Sequence, residues 1–453
     1  MKNILQTKGP FRRFGLIGYP LGHSLSPFIH ERIMEVAGLR GEYQLYELEP
    51  KSLPTRLPKL LDALDGLNCT IPYKESVIPY VDKLGPSASL YGAVNTVHGR
   101  TGHNTDGEAF AACRVPMHGR RVCVLGAGGV ARVLTMEAVR AGATEILIQV
   151  RNSHRAETLV GEVKERDYHT IHAVWGDEGR NLDCEVVLNG TPVGMWPHVG
   201  GIPVTERQLE AAQVVFDTVY NPSATRLVLQ AKSRGLWAKG GLQMLFEQAL
   251  ASQKIWNPQV NFDSCKDELD EVRRELAEEV LRNSPIKLVL TGFMGSGKTH
   301  VGKTLATAMS LDFVDLDDRI VQETGQSITE IFASRGEETF RSFERRIFLD
   351  QLLCPGSMVV ATGGGTLLQE GILEAVHGAG ALVIYLDVSL EVALQRIGGD
   401  SNRPMLKGGV KETRKLFERR QPLYEAVADL KVCGHGEVAQ IVDTIMTAFG
   451  WNQ

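Results

Sequence analysis

Leu288-Val289-Leu290-Thr291-Gly292-Phe293-Met294-Gly295-Ser296-Gly297-Lys298-Thr299 decides how the second half of this 453-residue chain is read. The apolar, β-branched start predicts a strand. G-x-x-x-x-G-K-T predicts a phosphate loop, and His300-Val301-Gly302-Lys303-Thr304-Leu305-Ala306 a helix leading away from it. Gly292, Gly295, Ser296 and Gly297 let backbone N–H groups turn inward around phosphate oxygens. Lys298 reaches the β and γ phosphates, and the Thr299 hydroxyl is placed to ligate Mg²⁺. A Gly-rich turn followed by Lys-Thr also occurs without a ligand, but here strand and helix flank the loop as phosphate binding requires. A nucleoside triphosphate site is expected.

Working outward, the length predicts two or three domains, each able to bury its own core. Charged residues make up 23% and the formal charge is only −5, so neither a disordered chain nor a polyanion binder is expected, and no nucleic-acid partner. Seven cysteines are scattered, without C-x-x-C spacing, which suits reduced thiols. The first ten residues lack an apolar core of signal-peptide length, and no run approaches the ~18 apolar residues of a membrane span. A soluble, cytoplasmic protein with no membrane partner is expected. Nothing in the sequence sets its oligomeric state.

Toward the N-terminus, Phe14-Gly15-Leu16-Ile17-Gly18 reads as a short buried strand, and Tyr19 to Pro27 turns into a helix lasting to about Gly38. Ser26 suits the N-cap and Pro27 the first helical position. Ser24 has less to do locally, and two hydroxyls at a positive helix end suit a carboxylate ligand. Asn68-Cys69-Thr70-Ile71-Pro72-Tyr73-Lys74, Gly92-Ala93-Val94-Asn95-Thr96 and Gly102-His103-Asn104-Thr105-Asp106-Gly107 each read as a short strand ending in polar residues. One Lys or Asp in such a place is ordinarily solvated; several strand ends bearing Asn, Thr, Lys and Asp mark where α/β folds build sites.

Arg121-Val122-Cys123-Val124-Leu125 is a strand that continues as Gly126-Ala127-Gly128-Gly129-Val130-Ala131, G-x-G-x-x-A, before a helix from Arg132 to Ala141. The next strand, Glu145 to Val150, ends where an NAD-binding protein places an acid for the ribose hydroxyls. This chain has Arg151 there, and Arg155 one turn on. Two guanidinium groups fit a 2′-phosphate, which favours NADP(H) over NAD.

G-x-P-x-x-H-S-x-S-P (Gly18 to Pro27), N-x-T-x-P-x-K (Asn68 to Lys74), G-A-V-N-T (Gly92 to Thr96), N-T-D-G (Asn104 to Gly107), G-A-G-G (Gly126 to Gly129), V-G-M (Val193 to Met195), D-x-V-Y-N-P (Asp217 to Pro222) and G-L-x-M-L-x-x-Q-A (Gly241 to Ala249) follow in the order seen in shikimate dehydrogenases. Residues 12 to 256 resemble that family. The resemblance implies that Lys74 and Asp106 form the catalytic pair and that Ser24, Ser26, Thr70, Asn95, Asp106, Tyr220 and Gln248 hold shikimate. It places NADP(H) on Gly126, Ala127, Gly128, Gly129, Arg151, Arg155 and Gly241. It further implies two lobes: a substrate-binding domain of residues 1–106 plus 236–256, and a Rossmann-type NADP domain of residues 107–235. Val150 departs from the family's usual Asn before Arg-Thr, Gly190-Thr191-Pro192 replaces a commoner pattern, and the hairpin between Val97 and Gly102 is short.

Residues 257–284 read as a helical linker. Leu269, Val272, Leu276 and Val280 form one narrow apolar stripe on a charged helix, which suits a spacer leaning on one neighbour or, less simply, a dimerising coil.

Beyond it, Phe313-Val314-Asp315-Leu316-Asp317-Asp318 is a strand ending in acids, able to hold Mg²⁺ and to accept a substrate hydroxyl. Gly336 to Glu344, Gly363-Gly364-Gly365, Arg396 before Gly398-Gly399, Arg403-Pro404-Met405-Leu406 and Arg420-Gln421-Pro422-Leu423-Tyr424 follow. Gly and Arg after a helix suit a mobile lid over phosphates. D-x-D, F-R-x-x-E, G-G-G, R-P-x-L and R-x-P-L-Y together resemble shikimate kinase from 287 to about 446. The resemblance implies a P-loop NTPase-like α/β kinase domain of residues 285–453. In it Asp317, Arg341, Gly364 and Arg420 bind shikimate, Thr299 and Asp315 serve Mg²⁺, Lys298 and Arg403 the transferring phosphate of ATP, and Arg396 the adenine. Lys298, Asp317 and Arg403 would be its catalytic groups.

Both halves converge on one ring acid. The expectation is a bifunctional α/β enzyme of aromatic amino acid biosynthesis that reduces 3-dehydroshikimate and then phosphorylates shikimate. Two other readings stand beside it: a quinate-type dehydrogenase using NAD in the first half, and a non-catalytic sensor of such metabolites. The sensor is expected to have lost some of Lys74, Asp106, Lys298, Asp315 and Asp317, and all are present.

Overall fold

The computed structural model describes residues 10–22, 24–151, 153–166, 168–175, 183–397 and 409–451. His23 and Arg403 lie outside them, as does the R-P-x-L run. The described residues build three β-sheets in chain order, each flanked by helices.

The first sheet contains β1 (Arg12–Gly18), β2 (Gly41–Glu47), β3 (Gly66–Cys69), β4 (Lys83–Leu84), β5 (Thr96–His98) and β6 (Thr101–His103), ordered β2-β1-β3-β5-β6-β4. β1 runs parallel to β2 and β3, whereas β5 is antiparallel to both β3 and β6. This reversal has a consequence for the site. Asn95 stands at the start of β5, and only because β5 runs backwards does that start meet the ends of β3 and β6, where Thr70 and Asp106 emerge.

The second sheet contains β7 (Arg121–Leu125), β8 (Glu145–Val150), β9 (Ile171–Trp175), β10 (Val186–Asn189), β11 (Val214–Asp217) and β12 (Trp237–Lys239), ordered β12-β11-β10-β7-β8-β9 and parallel throughout. Its strand order reverses between β7 and β10, the crevice where doubly wound sheets bind ligands. β12 pairs with β11, so Trp237–Lys239, expected with the substrate-binding domain, join the second sheet. The returning helix, Leu242–Trp256, ends in a fully buried Trp256 whose indole N–H donates to Val97 O at 3.0 Å and whose ring stacks on Phe14 at 4.7 Å. A Cβ at Gly66 would lie 2.3 Å from that indole nitrogen, so β3 must open with glycine.

The helix Lys266–Asn283 lays Leu269, Val272, Leu276 and Val280 against Ile29 and Ile33 of the helix Ser26–Val36 and against Leu25 just before it, and Arg32 donates to both Glu275 oxygens at 2.7 and 2.9 Å. Its stripe is thus covered within the chain and offers no seam for a second copy. Each fully buried Leu or Val there stabilises the lobe by ~1.5–3 kcal/mol.

The third sheet contains β13 (Lys287–Thr291), β14 (Asp312–Asp315), β15 (Met358–Ala361), β16 (Ala381–Asp387) and β17 (Leu430–Cys433), ordered β14-β15-β13-β16-β17 and parallel. Buried on both faces, β13 and β16 carry the apolar runs Leu288 to Leu290 and Ala381 to Leu386. The helix Arg226–Ser233 of the second unit shares this core: Ala224, Val228 and Leu229 join Leu288, Ile384, Leu430 and Ile445 in one cluster. No described helix is long and apolar enough to cross a membrane.

Candidate active sites

Between the first two sheets lies a cleft of about 790 Å³. Ser24, Ser26, Thr70, Lys74, Asn95, Asp106, Tyr220, Gln248 and Gly241 all line it, so the structure brings together every substrate residue expected of the first half. Lys74 Nζ stands 2.5 Å from Asp106 Oδ2. Asp106 is the first residue of the helix Asp106–Ala112, where the positive helix end favours its charge. Its other oxygen accepts from Asn95 Nδ2 at 2.9 Å, and Asn104 Oδ1 accepts from its N–H at 3.0 Å. Thr105 completes the frame, its N–H donating to Asn95 Oδ1 at 2.8 Å. The backbone of Lys74 is pinned as well, its carbonyl accepting from Val94 N at 2.7 Å. An ammonium held against a buried carboxylate, with an open cleft in front, can give a proton to a bound oxyanion.

One expectation is corrected. Ser26 does not cap its helix: Leu25 occupies the N-cap position with no side-chain capping bond, and the helix begins at Ser26 itself. Ser24 Oγ instead accepts from Ser26 N at 3.3 Å. Asn104 and Thr105 received no individual role from the sequence, although N-T-D-G contains them. Met195, Trp196 and Pro197, of which only Met195 belonged to a quoted motif, also line the cleft.

Across the cleft, β7 is followed by Gly126, whose φ of 97° favours glycine. The helix Gly129–Arg140 starts without a side-chain cap, and a Cβ at Gly128 or Gly129 would meet nothing within 4 Å. Uncapped N–H groups facing open space fit a pyrophosphate. Thr191 and Gly190 close over Gly126 from β10. Arg151 and Arg155 are exposed at the end of β8 and on the helix that follows. Nearby, burial pushes the Asp217 carboxyl up to about 6, against hydrogen bonds from Thr225, Val219 N and Asn189.

In the third unit Gly292, Gly295 and Gly297 have φ of 144°, 79° and 94°, and a Cβ at Gly295 would lie 2.5 Å from Ala393 O. The helix Lys298–Met309 opens beneath them without a side-chain cap. Lys298 Nζ lies over the loop, 2.8 Å from Gly292 O and 3.1 Å from Phe293 O, with Ser296 Oγ at 3.4 Å. Thr299 Oγ1 donates to Asp315 Oδ2 at 2.7 Å. One hydroxyl and one carboxylate beside a phosphate loop fit Mg²⁺, which keeps waters and phosphate oxygens as its remaining ligands. Arg396 donates to Ser296 O at 3.3 Å and Gly434 O at 2.9 Å, against the loop.

Gly363-Gly364-Gly365 is a bare backbone ringed by charged side chains. A Cβ at Gly363 would stand 3.6 Å from Asp317 Oδ1, at Gly364 3.6 Å from Arg420 Nη1, and at Gly365 2.9 Å from Arg341 Nη1. Burial disfavours the Arg341 charge, yet the adjacent Glu344 carboxylate, at 2.6 Å, outweighs this and holds its pKa above the usual value. Glu344 is itself fully buried and accepts from Thr366 and Gln369, so it fixes Arg341 in place. Tyr424 donates to Gly364 O. A compact acid could be bound here by two guanidinium groups with a carboxylate at its far side.

These features define a two-lobed oxidoreductase of the dinucleotide-binding type, followed by a P-loop phosphotransferase. Residues 16–97 match the family model of the shikimate dehydrogenase substrate binding domain, and residues 294–449 that of shikimate kinase. Shikimate dehydrogenase (NADP(+)) of Caldanaerobacter subterraneus subsp. tengcongensis is 36% identical over 258 residues, 54% of this chain and 90% of that protein. The Methanopyrus kandleri protein of the same description is 39% identical over 257 residues, 53% of this chain and 89% of its own length. A solved chorismate mutase/shikimate 5-dehydrogenase fusion protein from Clostridium acetobutylicum matches at 33% identity and a TM-score of 0.54, covering 60% of this chain and 99% of that one. The chain belongs to the shikimate dehydrogenase family and carries a shikimate kinase domain behind it.

Proposed function

We propose that the first site reduces 3-dehydroshikimate to shikimate with NADPH and that the second phosphorylates the shikimate 3-hydroxyl with MgATP, so that the product of one site is the substrate of the other. The observation that carries the first reaction is the Lys74–Asp106 pair at 2.5 Å, facing the cleft between the lobes. NADPH supplies hydride to the ketone carbon. The chain's part is protonation: Lys74 donates to the oxygen that gains charge, Asp106 orients and neutralises the ammonium, and Asn95 fixes Asp106. Such assistance is worth ~10²- to 10⁴-fold in rate. Ser24, Ser26, Thr70, Tyr220 and Gln248 hold the ring acid. β1–β6 with the helix Leu242–Trp256 form the substrate lobe, and β7–β12 the cofactor lobe. Arg151 and Arg155, standing where an acid would select NAD, favour the 2′-phosphate of NADP.

In the second site MgATP supplies the γ-phosphoryl group. Thr299 and Asp315 would hold the metal, and Lys298 would face the phosphates. Arg341 and Arg420 neutralise the substrate carboxylate, and Asp317 receives the attacking hydroxyl's hydrogen bond. In-line transfer depends mostly on positioning and charge neutralisation. Arg403, expected at the transferring phosphate, falls outside the described residues. Seven free cysteines, five of them buried, suit a reducing cytoplasm.

The test supplies purified chain with 3-dehydroshikimate, NADPH and MgATP. NADPH oxidation and ADP release with accumulation of shikimate 3-phosphate are expected. Failure of either cosubstrate to be consumed defeats the corresponding half.

A further inference from the structure

The turn Pro192–Gly201 touches the dehydrogenase cleft with one side and the phosphotransfer domain with the other. Met195, Trp196 and Pro197 line the cleft. Within the turn the firmest backbone bond is His198 N to Met195 O at 2.9 Å, and Trp196 N donates outside it to Asn221 O at 2.8 Å. Its far end is held from outside. Gly200 O accepts from Arg226 Nη1 at 2.6 Å, while Arg226 Nε donates to Asp429 of the third unit. Asp429 has no solvent exposure, and its second oxygen accepts from Val383 N at 2.8 Å, tying it into β16. The same turn packs on the domain directly: a Cβ at Gly200 would lie 2.9 Å from His377 O, and one at Gly380 3.4 Å from Val199 Cγ2. Arg226 also opens the helix Arg226–Ser233, capped by Thr225, whose hydroxyl donates to Asp217 at 2.6 Å; Thr218 and Tyr220, a few residues on, face the cleft.

We infer that Arg226, held by Asp429, is a positioning residue for the reductase, and that the phosphotransfer domain thereby forms part of the wall behind the dehydrogenase cleft. A part-buried guanidinium bridging a buried carboxylate in one domain and a loop carbonyl in the other fixes the loop only while both partners are present. Asp429 follows the helix Gly409–Val427 that carries Arg420, so the bridge is anchored just beyond an element of the phosphotransfer domain.

The inference rests on the reductase reading above, and the test separates the two. Wild-type full-length chain is assayed first; absence of NADPH-dependent reduction defeats that reading and not this one. In active material, R226M and D429N are each expected to raise the reductase KM for 3-dehydroshikimate and NADPH by about tenfold, with kcat changed less than about twofold. The double variant should be no worse than either single one, because the two side chains act as a unit. R226K keeps the buried charge, and with it the fold, but cannot reach Gly200 O and Asp429 together; about a fivefold rise is expected. KM values unchanged in R226K, or single effects that multiply in the double variant, overturn the inference.

Discussion

Thr299 Oγ1 and Asp315 Oδ2 are joined at 2.7 Å across two elements, the helix behind the phosphate loop and the end of β14. Asp315 also caps the next helix, accepting from Asp317 N at 3.0 Å, so the carboxylate proposed to hold the metal also fixes the place of Asp317. Asp315→Asn is therefore expected to raise the Mg²⁺ concentration that half-saturates kinase turnover by about 10- to 100-fold. Phosphorylation rate against Mg²⁺ reads this, and NADPH oxidation by the same variant should be unchanged.

Lys74 follows β3 of the first sheet and Lys298 follows β13 of the third, so the loss of each should be separable. Lys74→Ala is expected to cut reduction by ~10²- to 10⁴-fold and leave phosphorylation intact. Lys298→Ala should do the converse. Loss of both activities from either change would contradict independent chemistry.

Arg151 is exposed at the end of β8, and Arg155 is exposed on the helix that follows. Replacing Arg151 with Ala should raise the KM for NADPH about 10- to 100-fold, the size of a lost charge-assisted hydrogen bond, while the KM for NADH stays within about twofold. Equal effects on both cofactors would point instead to the NAD-linked reading, which a comparison of shikimate with quinate then resolves.

Leu276 is fully buried in the cluster that joins the helix Lys266–Asn283 to Ile29 and Ile33. Leu276→Ala should cost about 2–5 kcal/mol by lost transfer and cavity terms. Urea denaturation followed at the reductase site measures it; a cost below about 1 kcal/mol would mean that the helix is only loosely attached.

Burial raises the Asp217 carboxyl to about 6, above its unfolded value. The folded state therefore binds the proton more tightly, and its contribution to stability is full below about pH 4 and is lost as pH rises through 6. Relative to Asp217→Asn, the wild-type chain should lose up to ~1.4 kcal/mol per pH unit across that interval and nothing more above it. Parallel stability curves for the two proteins from pH 4 to 7 would remove Asp217 as the cause.

Much of both sites was legible because phosphate loops, strand-end acids and the Lys74 and Asp106 motifs are local patterns with local causes. Gly126, Gly295 and Gly297 are written into the sequence by positive φ. The stripe of the helix Lys266–Asn283 was legible as a stripe, but not what it covers, since periodicity gives a face and no partner. The place of Ser26 depended on where one helix begins by a single residue, and the end of the cofactor lobe on whether Trp237–Lys239 finds a strand beside it. Neither is a property of those residues alone.

The sequence by itself determined which chemical groups this chain brings to two anion cradles, because tight turns, helix starts and strand ends are fixed by neighbours along the backbone. Only the tertiary structure decided that Asn95 meets Thr70 and Asp106 through an antiparallel reversal, and that Arg226 reaches across some 200 residues of chain to Asp429. Those pairings follow from how apolar faces are buried against one another, a matter of contacts between segments whose separation in sequence sets no rule for their meeting in space.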